Sequence, residues 1–250
     1  MKKSRIFADR TVSKMQNEKF SERKKLIFGI MIYLVAIPLI LIIGVVLFKD
    51  RKYAMISMAV AFLSCVPFFI GFEKGKTGAR ELAAISVMTA LSVIGRLIFG
   101  AVPGFKPVTA IVIITAISFG SVPGFITGAA SAVISNIFFG QGPWTPFQMF
   151  VWGIIGFISG LIFRNREKPN IILLLIIGIW GGIGFSLIMD IWTTLSIDGT
   201  FNLLRYKVNI VSSLPFMAVY SLSNVIFLLL LTKPILNKLN RIKTKYGLFQ

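Results

Sequence analysis

Arg96, Asn136, Gln141, Gln148 and Asp190 are the side chains of this chain best suited to hold a polar ligand, and each lies in or beside a run of Ile, Leu, Phe and Val. The densest stretch is SNIFFGQGPWTPFQMFVWG, Ser135 to Gly153, where three carboxamides share the segment with Thr145, Trp144 and Trp152. Carboxamides and hydroxyls both donate and accept hydrogen bonds, and indole rings stack, so such a set is fitted to recognition. Covalent or metal chemistry needs other residues. Histidine is absent, which removes the commonest metal ligand and general base, and the single cysteine, Cys65, allows no intramolecular disulfide and no thiolate cluster. Cys65 is expected as a buried thiol in an apolar run. A membrane enzyme would need paired acids or a Ser/Lys or His constellation facing one cavity, and Asp190 is an isolated intramembrane acid. No catalytic set, metal or cofactor is expected.

One segment imitates a nucleotide site. GFEKGKTGA contains Gly75, Lys76 and Thr77, the end of a phosphate-binding loop, but that motif requires a glycine five residues before Gly75 and position 70 is Ile. No strand precedes it. Energy from ATP would have to come from another subunit.

The elements that position these residues follow from composition. With 56% hydrophobic and 14% charged residues and a mean hydropathy of +0.83, the chain is far more apolar than a soluble domain, whose charged share is about 25%. It reads as an all-α polytopic membrane protein. A bilayer core of about 30 Å needs roughly 20 apolar residues per helix, and eight spans are expected at 26–48, 53–72, 82–102, 107–121, 122–139, 146–163, 170–193 and 209–231. The pair 107–121 and 122–139 depends on a tight Gly-Pro turn in SFGSVPGF. The first two spans carry Pro38 and Pro67 and almost no polar side chain, so 26–72 reads as a two-helix addition to the six that follow. A basic segment, 1–25, precedes them; it is too long and lacks the small-residue pattern of a cleaved signal.

Charge supports an orientation. With both termini inside, 20 of the 27 Lys and Arg residues fall in 1–25, 73–81, 164–168 and 233–245; Lys49, Arg51, Lys52, Lys106, Arg205 and Lys207 lie outside and Arg96 lies within a span. This is the positive-inside bias of an N-in, C-in protein. It accounts for the net charge of +18 without nucleic acid, for which no binding fold is present. Under this topology Arg96 lies about 21 Å along its span, and Asn136, Gln148, Trp152 and Asp190 fall at the outer ends of theirs. Asn224 lies deeper, where an interhelical hydrogen bond is expected.

A charged side chain at the membrane centre costs about 2.5–3.5 kcal/mol, so it normally faces a cavity or a partner. Arg96 and Asp190 therefore either pair with each other or serve a ligand. The outer loops GAVPGFKP (Gly100 to Pro107), GQGPWTP (Gly140 to Pro146) and LSIDGTFNLLRYK (Leu195 to Lys207) supply fixed turns, aromatic rings, amides and cations. The candidate ligand set is Arg96, Phe105, Lys106, Asn136, Gln141, Trp144, Thr145, Gln148, Trp152 and Asp190. Trp180 and Trp192 also fit the aromatic belt of any membrane helix.

The stretch AREL at 79–82, followed by GRLIFGAVPGFKPVTAIVIITAISFGSVPGFITGAASAVISNIFFGQGPWTPFQMFVWGIIGFISGLIF, resembles the substrate-binding S components of energy-coupling factor (ECF) vitamin transporters over about residues 79–232. The resemblance implies a six-helix core in a bacterial cell membrane that captures a vitamin at its external face through the three loops above. It also implies release inward with a transmembrane coupling subunit and two ATPase subunits. The residues 26–72 inherit nothing from it, and a basic tail, 233–250, follows the core. Coupling in such components uses an Ala-x-x-x-Ala face on the first core helix, and the nearest match here is Ser86-x-x-x-Ala90 with Ala83 one turn earlier. A corrinoid such as cobalamin is the first substrate expected, with riboflavin, thiamine and other vitamins open. A ligand-free scaffold subunit, in which Arg96 and Asp190 matter only for folding, is the rival class.

Overall fold

The computed structural model describes residues 78–164 and 169–248, with isolated helical positions between 59 and 72. The basic segment 1–25 and the expected spans 26–48 and 53–72 lie outside the described residues, those isolated positions apart. Cys65 is one of them and is buried.

Six helices follow, α1 (Ala79–Ile98), α2 (Val108–Phe119), α3 (Ser121–Phe139), α4 (Thr145–Ile162), α5 (Ile171–Asp198) and α6 (Leu203–Tyr246). All but α2 are long and apolar enough to cross a membrane, so the chain is an all-helical, multi-pass membrane protein. The caps are local. Glu81 reaches back to the Gly78 N–H at the start of α1. The Asn170 and Asn202 side chains accept from the first free N–H groups of α5 and α6. Between α2 and α3 stands only Gly120, at φ 101°, a conformation that costs other residues steric strain and lets two helices reverse without a loop.

The last two helices run well beyond the expected 170–193 and 209–231: α5 continues to Asp198 and α6 starts at Leu203, leaving 199–202 as the connection. Hydropathy marks the apolar part of a helix, whereas caps mark its ends. Lys, Arg and Asn in 233–246 interrupt the apolar run, but Leu236 and Leu239 remain buried on one side, and the helix stops only at Gly247, in the left-handed region.

The 12-residue α2 is apolar on all sides and nearly every residue in it is buried, because it packs against all five of the other helices. Met88, Ile111, Ile114, Phe119, Phe163, Leu174, Phe227 and Leu236 belong to the core around it.

The antiparallel pair α3 and α4 crosses through glycine. A Cβ at Gly128 would fall on the Trp152 carbonyl, one at Gly156 on the backbone of Gly124, and one at Gly160 on the backbone of Ser121. These contacts recur one helical turn apart, so the two backbones touch along a stripe, as small residues permit in membrane helices. Continued by two turns, the same register carries Asn136 to Thr145 and Gln148. At the opposite end, Lys243 Nζ donates to the Ser118 carbonyl at 3.2 Å and Arg80 lies over the Tyr246 ring. The turn after α2 and the end of α6 therefore share one end of the bundle, away from the 140–144 loop.

Candidate ligand-binding site

The centre of the site is Arg96, in the last turn of α1 and only 6% exposed. Its Nη1 donates to Oγ of Ser135 and to Oδ1 of Asn136 at 2.8 Å. Asn136 in turn donates from Nδ2 to Thr145 Oγ1 at 2.9 Å and to Gln148 Oε1 at 2.8 Å. The ladder ends at Gln141, whose Oε1 accepts from Thr145 at 3.0 Å while its Nε2 donates to the Val133 carbonyl at 2.7 Å. Arg96 is thus tied through Asn136 to the start of α4 and to the 140–144 loop, as a polar group surrounded by apolar helices requires.

Aromatic rings enclose the guanidinium. Its centre lies 4.8 Å from the Phe139 ring centre and 5.0 Å from that of Trp152, within cation–π range, where a desolvated contact is worth about 2 kcal/mol. Trp152 stacks on Phe185 at 5.0 Å with 22° between the planes, and Phe185 meets Tyr220 at 5.0 Å. A continuous aromatic wall therefore runs from α4 through α5 to α6. The Lys106 ammonium lies 5.4 Å from the other partner of Arg96, Phe139. The Lys106 backbone is anchored to α6, its N–H donating to Ser223 Oγ at 2.9 Å and its carbonyl accepting from the same hydroxyl at 3.1 Å. Burial holds its ammonium below the ordinary lysine pKa, and the Arg96 charge adds to the depression.

Of the expected residues, the structure brings together Arg96, Asn136, Gln141, Thr145, Gln148 and Trp152 in one connected set, with Lys106 beside it. Phe105 packs instead against Phe99 and Phe227, at the edge of the apolar core. Trp144 is half-buried and its ring covers Gly142. Asp190 belongs to a separate cluster between α5 and α6, where Oδ2 accepts from Ser213 at 2.6 Å and Asn209 donates to Thr194 at 2.9 Å. The alternative that Arg96 and Asp190 form an ion pair is corrected: among the described residues the ion pair found joins Arg205 to Asp198 at 3.1 Å, and α1 and α5 bind their charges to different neighbours. The expected hydrogen bond of Asn224 is present, from Nδ2 to the Gly178 carbonyl at 2.9 Å.

Sequence reasoning missed Ser135, Phe139, Phe185, Tyr220 and Ser213. The first two carried a signal, since Ser135 adjoins Asn136 and Phe139 lies one turn after both. Phe185 and Tyr220 carried none, because only the packing of α4 on α5 and of α5 on α6 brings them into line with Trp152. Among the described residues no three His, Cys, Asp or Glu side chains converge to hold a metal ion.

The fold is thus that of a multi-pass helical bundle, with a polar ladder and an aromatic wall built between its helices. Residues 76–241 match the family described as ECF-type riboflavin transporter, S component. The match spans well over half of the chain, which belongs to this family of substrate-binding transporter subunits. Comparison with curated proteins and with solved structures gave no match.

Proposed function

We propose that this chain captures a vitamin at the outer end of its bundle and releases it inward in concert with a transmembrane coupling subunit and two ATPase subunits, in a bacterial cell membrane with both termini inside. The observation that carries this reading is the ladder Arg96–Asn136–Gln148, in which buried donors and acceptors from α1, α3 and α4 are preorganised at one end of the bundle. The site residues are Arg96, Lys106, Asn136, Gln141, Trp144, Thr145, Gln148 and Trp152, with Asp190 and Phe105 at its margins. Coupling uses the α1 face of Ala83, Ser86 and Ala90, all three exposed.

Two vitamins are favoured by separate observations. The family description names riboflavin, and a planar ring system suits the Trp152–Phe185 stack. A corrinoid, with its rim of amide side chains, suits the carboxamides Gln141 and Gln148, which lie at the loop end of α4. Titration of the purified full chain with riboflavin and with cobalamin separates them. Trp144→Ala and Gln148→Ala should each weaken the bound vitamin at least tenfold, about 1.4 kcal/mol, since each removes contact area or leaves a partner unpaired. Unaltered affinity in both variants, with the fold intact, would refute this placement, and a chain that binds no vitamin would be the scaffold subunit.

A further inference from the structure

Arg96 and Lys106 share one aromatic neighbour, with their charges 4.8 and 5.4 Å from the centre of the same Phe139 ring. Among the described residues neither has an acidic partner. The three described carboxylates are engaged elsewhere: Glu81 with the Gly78 N–H at the start of α1, Asp190 with Ser213 and Asp198 with Arg205. The acceptors that hold Arg96, Ser135 Oγ and Asn136 Oδ1, are neutral and both fall on Nη1. Its buried Nε donor has no hydrogen-bond partner. Two like charges near one ring in a region of low dielectric repel, and a buried charge without a counter-charge is costly. Such an arrangement persists where a ligand supplies the missing charge.

We infer that the ligand of this site carries an anionic group, a phosphate or carboxylate, which docks between Arg96 and Lys106. The inference rests on the capture reading above and narrows it. Guanidinium and ammonium together complement a phosphate, the first through its fork of donors and the second as a point charge. The carboxamides Gln141 and Gln148 and the aromatic wall then serve the uncharged remainder. The depressed Lys106 pKa agrees, since an anion beside the ammonium would restore the charged form. Arg96 is enclosed by Ser135, Asn136, Phe139 and Trp152, which shields it from lipid headgroups and leaves the anion to come from a ligand.

Two matched pairs test this on the full chain in maltoside detergent: riboflavin against flavin mononucleotide, and cobinamide against cobinamide phosphate, the second member of each adding a phosphate monoester. In the pair that binds, the phosphorylated member should bind at least tenfold tighter, and Lys106→Gln and Arg96→Gln should each abolish that advantage, so that the two members bind alike. Arg96→Lys, which keeps the charge, covers the case in which Arg96→Gln fails to fold. Inorganic phosphate supplies a readout independent of any vitamin: it should raise the melting temperature of the wild type above that in matched chloride, and not that of Lys106→Gln. Equal binding of both members of a pair, unaltered by either Gln variant, would overturn the anion site and leave capture standing. Stabilisation by phosphate without binding of any of the four compounds would uphold the anion site and overturn capture of these vitamins. Neither effect would overturn both.

Discussion

Arg96 and Asn136 stand forty positions apart in the chain, yet Nη1 of the first donates to Oδ1 of the second at 2.8 Å. Asn136 is the joint of the site, because it is bonded at both ends of its carboxamide, to Arg96 on one side and to Thr145 and Gln148 on the other. Asn136→Leu keeps the volume and removes every one of these bonds. The stranded donors and acceptors should destabilise the protein by about 1–3 kcal/mol, read as a lower melting temperature in detergent. Asn136→Asp retains the acceptor and places a carboxylate against Arg96, so it should melt near the wild type. The same variant would supply internally the charge assigned to the ligand, and it should lose the preference for phosphorylated compounds. A wild-type melting temperature for Asn136→Leu would show that the ladder contributes nothing.

The glycine stripe between α3 and α4 determines where Asn136 meets α4. Gly128→Val would drive side-chain carbons into the Trp152 carbonyl, and overpacking of this kind costs about 1–3 kcal/mol. Since Trp152 also covers Arg96, stability and ligand affinity should fall together. Gly184, where an added Cβ meets nothing within 4 Å, is the control: Gly184→Ala should be neutral or slightly stabilising, as alanine is the better helix former. Equal behaviour of the two variants would contradict the packing described.

Because Arg96 and Asp190 are bonded to different partners, reversing both charges should not rescue either single variant. Arg96→Asp and Asp190→Arg are expected to be additive within about 0.5 kcal/mol, the behaviour of sites that share no contact. The measurement is a double-mutant cycle on the melting or denaturant midpoint, and a recovery larger than that margin would restore the ion pair.

The exposed side of α1 at Ala83, Ser86 and Ala90 offers close approach to another helix. Ala90→Trp should abolish uptake in vesicles that contain the coupling subunit and ATPases. Vitamin binding should survive, since Ala90 lies about 9 Å along the helix from Arg96. Uptake at the wild-type rate would remove this face from the coupling mechanism, and concentrative uptake by the chain alone, without ATP, would remove the need for partners.

The six helices of the described residues were legible in the sequence. Apolar runs of about 20 residues in so hydrophobic a chain leave few alternatives in a bilayer, where every backbone group must be bonded within its own segment. Even the abrupt reversal at Gly120 could be read, because a glycine followed within three residues by proline ends one helix and begins the next. Helix ends were less legible where they outran the apolar part: nothing in hydropathy distinguishes Leu203–Val208 or Lys233–Tyr246 from loop, whereas Asn202 and Gly247 cap them.

For the candidate site, residue type alone picked out the members of the polar ladder Arg96, Asn136 and Gln148, since strongly polar side chains in apolar helices need partners wherever they lie. Which partner each one takes was decided in three dimensions. Asp190 was an equally good counter-charge for Arg96 by sequence, and it bonds to Ser213 because α5 packs along α6. Phe105 and Lys106 are adjacent in sequence, yet the ring joins the apolar cluster with Phe227 while the ammonium turns to Phe139. A hydrogen bond or a ring contact reaches only a few ångströms, so its existence depends on the register between helices. That register is set by tertiary packing, here by Gly124, Gly128 and Gly156, where the backbones of α3 and α4 touch.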